Sequence, residues 1–397
     1  MPKSIVERRP MLQQVPSTDP RASVEDQWFW TQPKGLNLTS RLSRVDVQYC
    51  RDIQNVMLDD TSLRSRWGTE PFGPTAADVM AVVSFVTPSG DGFLLRTTLT
   101  DLQRWNGSAW VTISGSVFTG TTSNYFSFAN FGSQLLIANA MDKLFYYDID
   151  SGAFGFIDES VPAHHVTMFN GRVVLSHTIE GAPKPYRVRW SVKNDSMDWT
   201  SDGSGYEDLF AAPGGVVDAA HGVYPVSDDT ALIVRAASVW GMSVTGNLLA
   251  PFRFTRIWAE IGTKTPRAVA TIPGGIVMLS RENVVALTPN DIKKIGDEVR
   301  HDIINGITDF NAVVGKYDYV RNEYRLANGT TVWRFNFRDQ GWTRDVYPFN
   351  VRDMARVEIN QFGLTIDDLA GTINGLTGTI DGLVATGSVE GFFFVGT

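Results

Sequence analysis

A single cysteine, Cys50, is all the thiol chemistry in this 397-residue chain. One cysteine closes no intramolecular disulfide and builds no thiolate zinc site, so stability must come from packing, and synthesis in a reducing compartment fits. No stretch approaches the roughly 20 apolar residues of a membrane span. The opening residues, with Lys3, Glu7, Arg8 and Arg9, lead into no apolar signal-peptide core. The expectation is a soluble, unsecreted product without a membrane partner. Blocks of like charge are missing too: 35 basic and 43 acidic residues leave a formal charge of -8, which does not suit a dedicated nucleic-acid reader with its basic stripe. A duplex lying beside such a mildly acidic wall would be repelled and kept mobile, not gripped.

Catalytic constellations are equally scarce. The five histidines are His164, His165, His177, His221 and His301; none stands in His-Glu-x-x-His, and no pair has the i, i+4 spacing of a helical metal site. His164 and His165, as neighbours on a strand, point to opposite faces and so cannot chelate one ion together. There is no Gly-x-Ser-x-Gly elbow and no Gly-x-x-x-x-Gly-Lys phosphate loop. Cys50, between Tyr49 and Arg51, reads as a packed thiol. The expectation is a non-enzyme with no catalytic, cofactor-binding or metal-binding residues and no cofactor.

What the sequence does have is β texture. Hydrophobic residues make up 43% of the chain, enough for a sizeable core. From about residue 35 they come in short runs of Val, Ile, Phe, Tyr and Thr, cut by Ser89-Gly90-Asp91-Gly92, Asn106-Gly107, Asn170-Gly171 and Asn328-Gly329, which are hairpin signals. Only Asp46 to Leu58 and Asn290 to Ile304 read as short helices. The strand runs recur in units starting near Met80, Tyr125, His165, Val217, Pro266 and Ala312, about 40 to 50 residues apart, the spacing of four-stranded propeller blades. The expected fold is all-β, a β-propeller of six or seven antiparallel blades over residues 35–350; a pair of β-sandwiches shares the same rhythm.

Two flanking segments differ from this body. Residues 1–34 hold Pro2, Pro10, Pro16, Pro20 and Pro33 and then Trp28-Phe29-Trp30, the pattern of an extended arm whose aromatics need a surface, either the chain's own body or a neighbouring subunit. Residues 351–397 contain a seven-residue repeat, Thr365-Ile366-Asp367-Asp368-Leu369, Thr372-Ile373-Asn374-Gly375-Leu376 and Thr379-Ile380-Asp381-Gly382-Leu383. Its glycines cost a helix roughly 1 kcal/mol each, so repeated turns that tuck Ile and Leu against a surface fit better than a coiled coil. Trp28, Phe29, Trp30, Ile366, Leu369, Ile373, Leu376, Ile380 and Leu383 are therefore candidate inter-subunit contacts.

Several words in chain order resemble the tail hub, nozzle or packaged-DNA-stabilisation proteins of tailed bacteriophages. They are Met168 to Ser176, Pro185-Tyr186-Arg187-Val188-Arg189-Trp190-Ser191 and Asp198-Trp199-Thr200, then Ser238 to Gly246 with Pro251-Phe252-Arg253-Phe254, and Gly274 to Asn283. Leu36 to Gly68 precedes them and the Thr-Ile-Asp-x-Leu repeat follows, so the resemblance spans about residues 35–385. It implies a virion tail protein made in the host cytoplasm, a homo-oligomeric ring of six-fold order. Such a ring would meet portal, adaptor and other tail proteins, with double-stranded DNA passing through the lumen without sequence-specific binding. The chain stops soon after the repeat, which leaves hub and nozzle both open.

The alternative is a propeller that binds or cleaves carbohydrate at a host surface. Carboxylates are plentiful, and Ser191 to Thr200 faintly resembles an Asp-box turn, although it lacks that turn's glycine.

Overall fold

Alternating apolar residues between turn formers make strands that bury both faces, and the computed structural model of the chain is built almost entirely of them. It describes residues 12–15, 27–30, 33–38, 48–59, 62–66, 68–69, 71–74, 78–106, 109–210, 218–359 and 389–396. Two compact units emerge, one from Met1–Glu70 with Thr263–Val351, the other from Pro71–Gly262 with Arg352–Thr397.

The chain enters the first unit with β1 (Leu12–Val15) and β2 (Gln27–Trp30), which pair antiparallel with Leu12 opposite Trp30. Next come β3 (Gly35–Leu36), β4 (Tyr49–Cys50) and the hairpin of β5 (Val56–Asp59) and β6 (Ser62–Ser65). The segment expected as a helix, Asp46 to Leu58, is thus extended where described. Tyr49 and Cys50 pair with β3, and Val56 starts a hairpin after Asn55 at φ +57, so tertiary pairing overrides local propensity.

The second unit holds four meanders. They are β7 (Val79–Val86), β8 (Gly92–Thr98), β9 (Leu102–Trp105) and β10 (Trp110–Ser114); β11 (Ser127–Phe131), β12 (Gln134–Ala138), β13 (Phe145–Asp148) and β14 (Phe154–Phe156); β15 (Ala163–Phe169), β16 (Arg172–Glu180), β17 (Ala182–Trp190) and β18 (Gly205–Asp208); and β19 (Ala220–Pro225), β20 (Thr230–Arg235), β21 (Ser238–Val244) and β22 (Phe252–Ala259). Each is one antiparallel four-stranded sheet, a propeller blade.

Blade packing follows from side-chain parity. Leu135 and Ile137 of β12 pack with Phe85 and Leu95 of the blade before, whereas Leu136 and Ala138 pack with Val166, Val173 and Leu175 of the blade after. One blade on, Val174 and Val188 turn the other way, towards Val223, Ile233 and Met242. The β11–β14 and β15–β18 blades thus each pack on two neighbouring sheets, one on either face, which a two-sheet sandwich does not provide.

The remaining blades return to the first unit: β23 (Val269–Ile272), β24 (Gly275–Leu279), β25 (Val284–Leu287) and β26 (Ile292–Lys294); then β27 (Val314–Asp318), β28 (Glu323–Asn328), β29 (Thr331–Asn336) and β30 (Gly341–Val346). Between them lies α1 (Arg300–Asn305), which overlaps only the end of the second segment expected as helix, Asn290 to Ile304; the earlier part of that segment forms β26, paired with β25. Val277, Leu279, Tyr324, Leu326, Trp333 and Trp342 join the two blades in one core. The last blade grows to six strands because β3 adds parallel to β30, and β4 parallel to β3. The chain ends with β31 (Val351–Ile359) and β32 (Val389–Gly396), a two-stranded sheet whose Val357 and Val395 pack on Val82 and Leu94 of the second unit.

The fold is a β-propeller, all-β, with six blade sheets among the described residues, five of four strands and one of six. No helix there is long and apolar enough to cross a membrane.

Candidate functional site

The sequence-derived contact residues fall in two places. Trp28, Phe29 and Trp30 lie on β2, paired with Gln14, Gln13 and Leu12. Ile366, Leu369, Ile373, Leu376, Ile380 and Leu383 lie outside the described residues.

The Asp-box-like segment is a set of turns. Asp195 Oδ1 accepts from the Met197 and Asp198 amides, and Asp198 Oδ1 from those of Thr200 and Ser201 at 3.0 and 2.9 Å. Trp199 is buried and donates from Nε1 to the Ser196 carbonyl at 2.9 Å. The Ser201 hydroxyl, together with the Ser201 and Thr200 amides, holds the Asp198 carboxyl below the usual carboxylate range. These side chains are occupied with local backbone, the ordinary work of aspartates in turns. Cys50 sits half-buried on β4, where burial pushes its thiol up and away from the thiolate.

The inner strands of the six blades are β7, β11, β15, β19, β23 and β27. They contain one carboxylate, Asp318. It is buried and bound to Arg325 Nη2 at 2.9 Å, which also reaches Glu323 at 3.1 Å. Large apolar side chains are instead exposed at blade rims: Tyr206 at 54% and Phe210 at 62% on and after β18, and Leu248 at 61% with Leu249 at 69% at the β21–β22 turn. Beside them Arg187 forks onto Asp208 with two bonds of 2.7 Å and reaches Glu180 at 2.8 Å, which raises its affinity for the proton further.

A further group of titratable side chains, four histidines with two tyrosines, was not assembled by sequence reasoning. Four of the five histidines gather in the second unit, His164 and His165 at the start of β15, His221 at the start of β19 and His177 on β16. His164 and His177 stack with ring centroids 4.0 Å apart and planes 29° apart. Tyr125, just ahead of β11, stands 6.1 Å from His164. On the opposite face of β15, His165 meets Tyr224 of β19 at 5.1 Å, so the adjacent histidines do point apart as their strand requires. Burial keeps His164 below the usual imidazole range; at His177 burial acts first and the charges of His164 and His221 second, to about 3. Burial and Tyr125 push the Tyr224 phenol well above its usual range.

A signal for this pairing exists in the sequence. Asn170 and Gly171 have φ +50 and +71, a two-residue type I′ turn. His164 and His177 are equidistant from it, hence directly opposite, between the strand pairs His165 with Ser176 and Ala163 with Thr178. Among the described residues, no group of three or more His, Cys, Asp or Glu is arranged to hold a metal ion.

No family model and no curated protein matches the sequence. Among solved structures, the chain is similar to BamB from Moraxella catarrhalis, with 12% identity, 72% of this chain and 79% of that chain covered, and a TM-score of 0.44. It is also similar to the WD40 β-propeller domain of Doa1, with 10% identity, 70% and 86% covered, and a TM-score of 0.43.

Proposed function

We propose that this chain is a structural protein of a phage tail, a hub, nozzle or connector component. In this reading copies close into a ring, six-fold in order, that extends or seals the DNA channel below the portal and adaptor. The observation that carries it is where the family-like words fall. Arg172–Leu175 lie in β16, Arg187–Trp190 in β17, Ser238–Val244 in β21, Phe252–Phe254 in β22 and Gly275–Leu279 in β24, so the resemblance follows the blades in chain order and does not rest on one word. The exposed rim side chains Phe210, Leu248 and Leu249 supply apolar area of the kind that subunit contacts bury. A ring of this sort joins two different patches and closes by rotation.

Charge supports the conduit. The chain's -8 favours a duplex that slides over one that binds. The alternative of glycoside cleavage draws little from the inner strands, whose single carboxylate is spoken for by Arg325.

Peptide mass spectrometry with copy-number quantification on purified particles tests the reading. About six to twelve copies per particle is the expected result for one or two closed rings; a chain found free and absent from particles overturns it.

A further inference from the structure

The histidine group occupies a mechanical joint. His164 lies on the face of β15 that packs towards β11 and β12, since Val166 of the same parity fills that core and Tyr125 stands 6.1 Å away, and His177 stacks on His164. His165 faces β19 on the other side, through Tyr224. Three successive blades therefore meet at one set of imidazoles. His177 is also a backbone irregularity. It has φ +54, and the β16–β17 register shifts between Ser176 and Thr178, so a ladder bond is already missing where the charge would appear.

Among the described residues, no carboxylate bears on His164 or His177. His164 and His221 are the charges that act on His177, and both act against it. Tyr125 and Tyr224 face the group as neutral phenols, and β12 brings no ionisable side chain. On β16 and β17 the nearby acid, Glu180, is held by Arg187 at 2.8 Å and Arg189 at 3.5 Å, while Lys184, opposite Thr178, adds a positive charge. Stacked rings 4.0 Å apart cannot both become cations without parting.

We propose that the histidine group is an acid-sensitive joint: on acidification its protonation parts β15 and β16 from the inner strands on either side and opens this region of the second unit reversibly. This stands apart from the assembly proposal, since it needs only the single chain.

Hydrogen exchange of the full chain, corrected for the intrinsic effect of pH on exchange, is the test. Peptides covering 160–180 and 218–226 should open more as pH falls from 7.5 to 5, by about tenfold per pH unit for each proton taken up, and reclose when pH returns. His177→Asn, which tolerates the left-handed backbone, and His164→Phe, which keeps a ring without a titrating charge, should abolish the gain. His301→Gln, outside the group, should preserve it. Exchange that follows the intrinsic trend alone, or an acid gain that survives both substitutions, overturns the joint. Should either variant fail to fold, histidine Cε1–H resonances of the unaltered chain decide. Signals of His164 and His177 that stay neutral until the region opens support the joint, and signals that titrate near the ordinary 6.5 with nothing else moving contradict it.

Discussion

Gly35 lies directly beside Trp342 in a parallel strand pair, with φ +97 and no space for a methyl group, since a Cβ there would overlap the Trp342 carbonyl oxygen. This is where the N-terminal segment joins the last blade. It covers the edge of β30 that would otherwise offer unpaired backbone groups to another chain, and Trp342 behind it is buried and donates to the Ile295 carbonyl at 2.5 Å. Gly35→Ala should cost at least about 2 kcal/mol, from backbone strain and overlap together. The check is a thermal midpoint measured beside the unaltered chain.

A buried charge chain sets the next prediction. Arg334 Nε lies 3.0 Å from Asp345, and its Nη2 donates to the Val56 carbonyl and to Asp345 Oδ1. Burial pushes the Asp345 carboxyl up, and Arg334 is the largest influence pulling it back. Arg334→Met strands that carboxylate and should cost about 3–5 kcal/mol. Adding Asp345→Asn should recover part of the loss. Chemical denaturation of the single and double variants measures both.

Tyr324 ties the two blades of the first unit through a hydroxyl that donates to the Ala268 carbonyl at 2.6 Å, fully buried. Gly315 leaves room for that ring, because a Cβ there would collide with the Tyr324 hydroxyl. Tyr324→Phe should lose about 1–2 kcal/mol, the cost of a buried carbonyl left without its donor. Gly315→Ala should lose more, since it displaces the whole ring. Equal midpoints for the two variants would contradict this ordering.

Stability should also depend on pH through His177. Its folded value of about 3 lies below the ordinary 6.5, so the unfolded chain takes up the proton first. The contribution is complete above about 6.5 and declines as pH falls towards 3. Between pH 7 and 5 the loss should reach about 1–2 kcal/mol after allowance for partial exposure. Urea midpoints across that range give the slope, which should flatten in His177→Asn.

Much of the fold was legible because blade rhythm is a local property. The expected unit starts near Met80, Tyr125, His165, Val217, Pro266 and Ala312 meet inner strands that begin at Val79, Ser127, Ala163, Ala220, Val269 and Val314. The Asn170-Gly171 turn sets its own register. What escaped was non-local. Tyr49 and Cys50 become strand only because β3 and the edge of β30 are there to pair with, and nothing between Asp46 and Leu58 announces that. The histidine group was half legible: opposite faces for His164 and His165 follow from strand parity, but the partner of His164 appears only when the turn's symmetry is carried six residues out to His177.

Electron cryomicroscopy of intact particles would show directly whether this chain forms a tail ring. This chain's blades should appear as a closed ring in the tail below the portal, with copies related by rotation about the channel axis and rim residues such as Phe210, Leu248 and Leu249 covered at their contacts. A tail in which that position is filled by a different protein, with this chain absent from the particle, would contradict it.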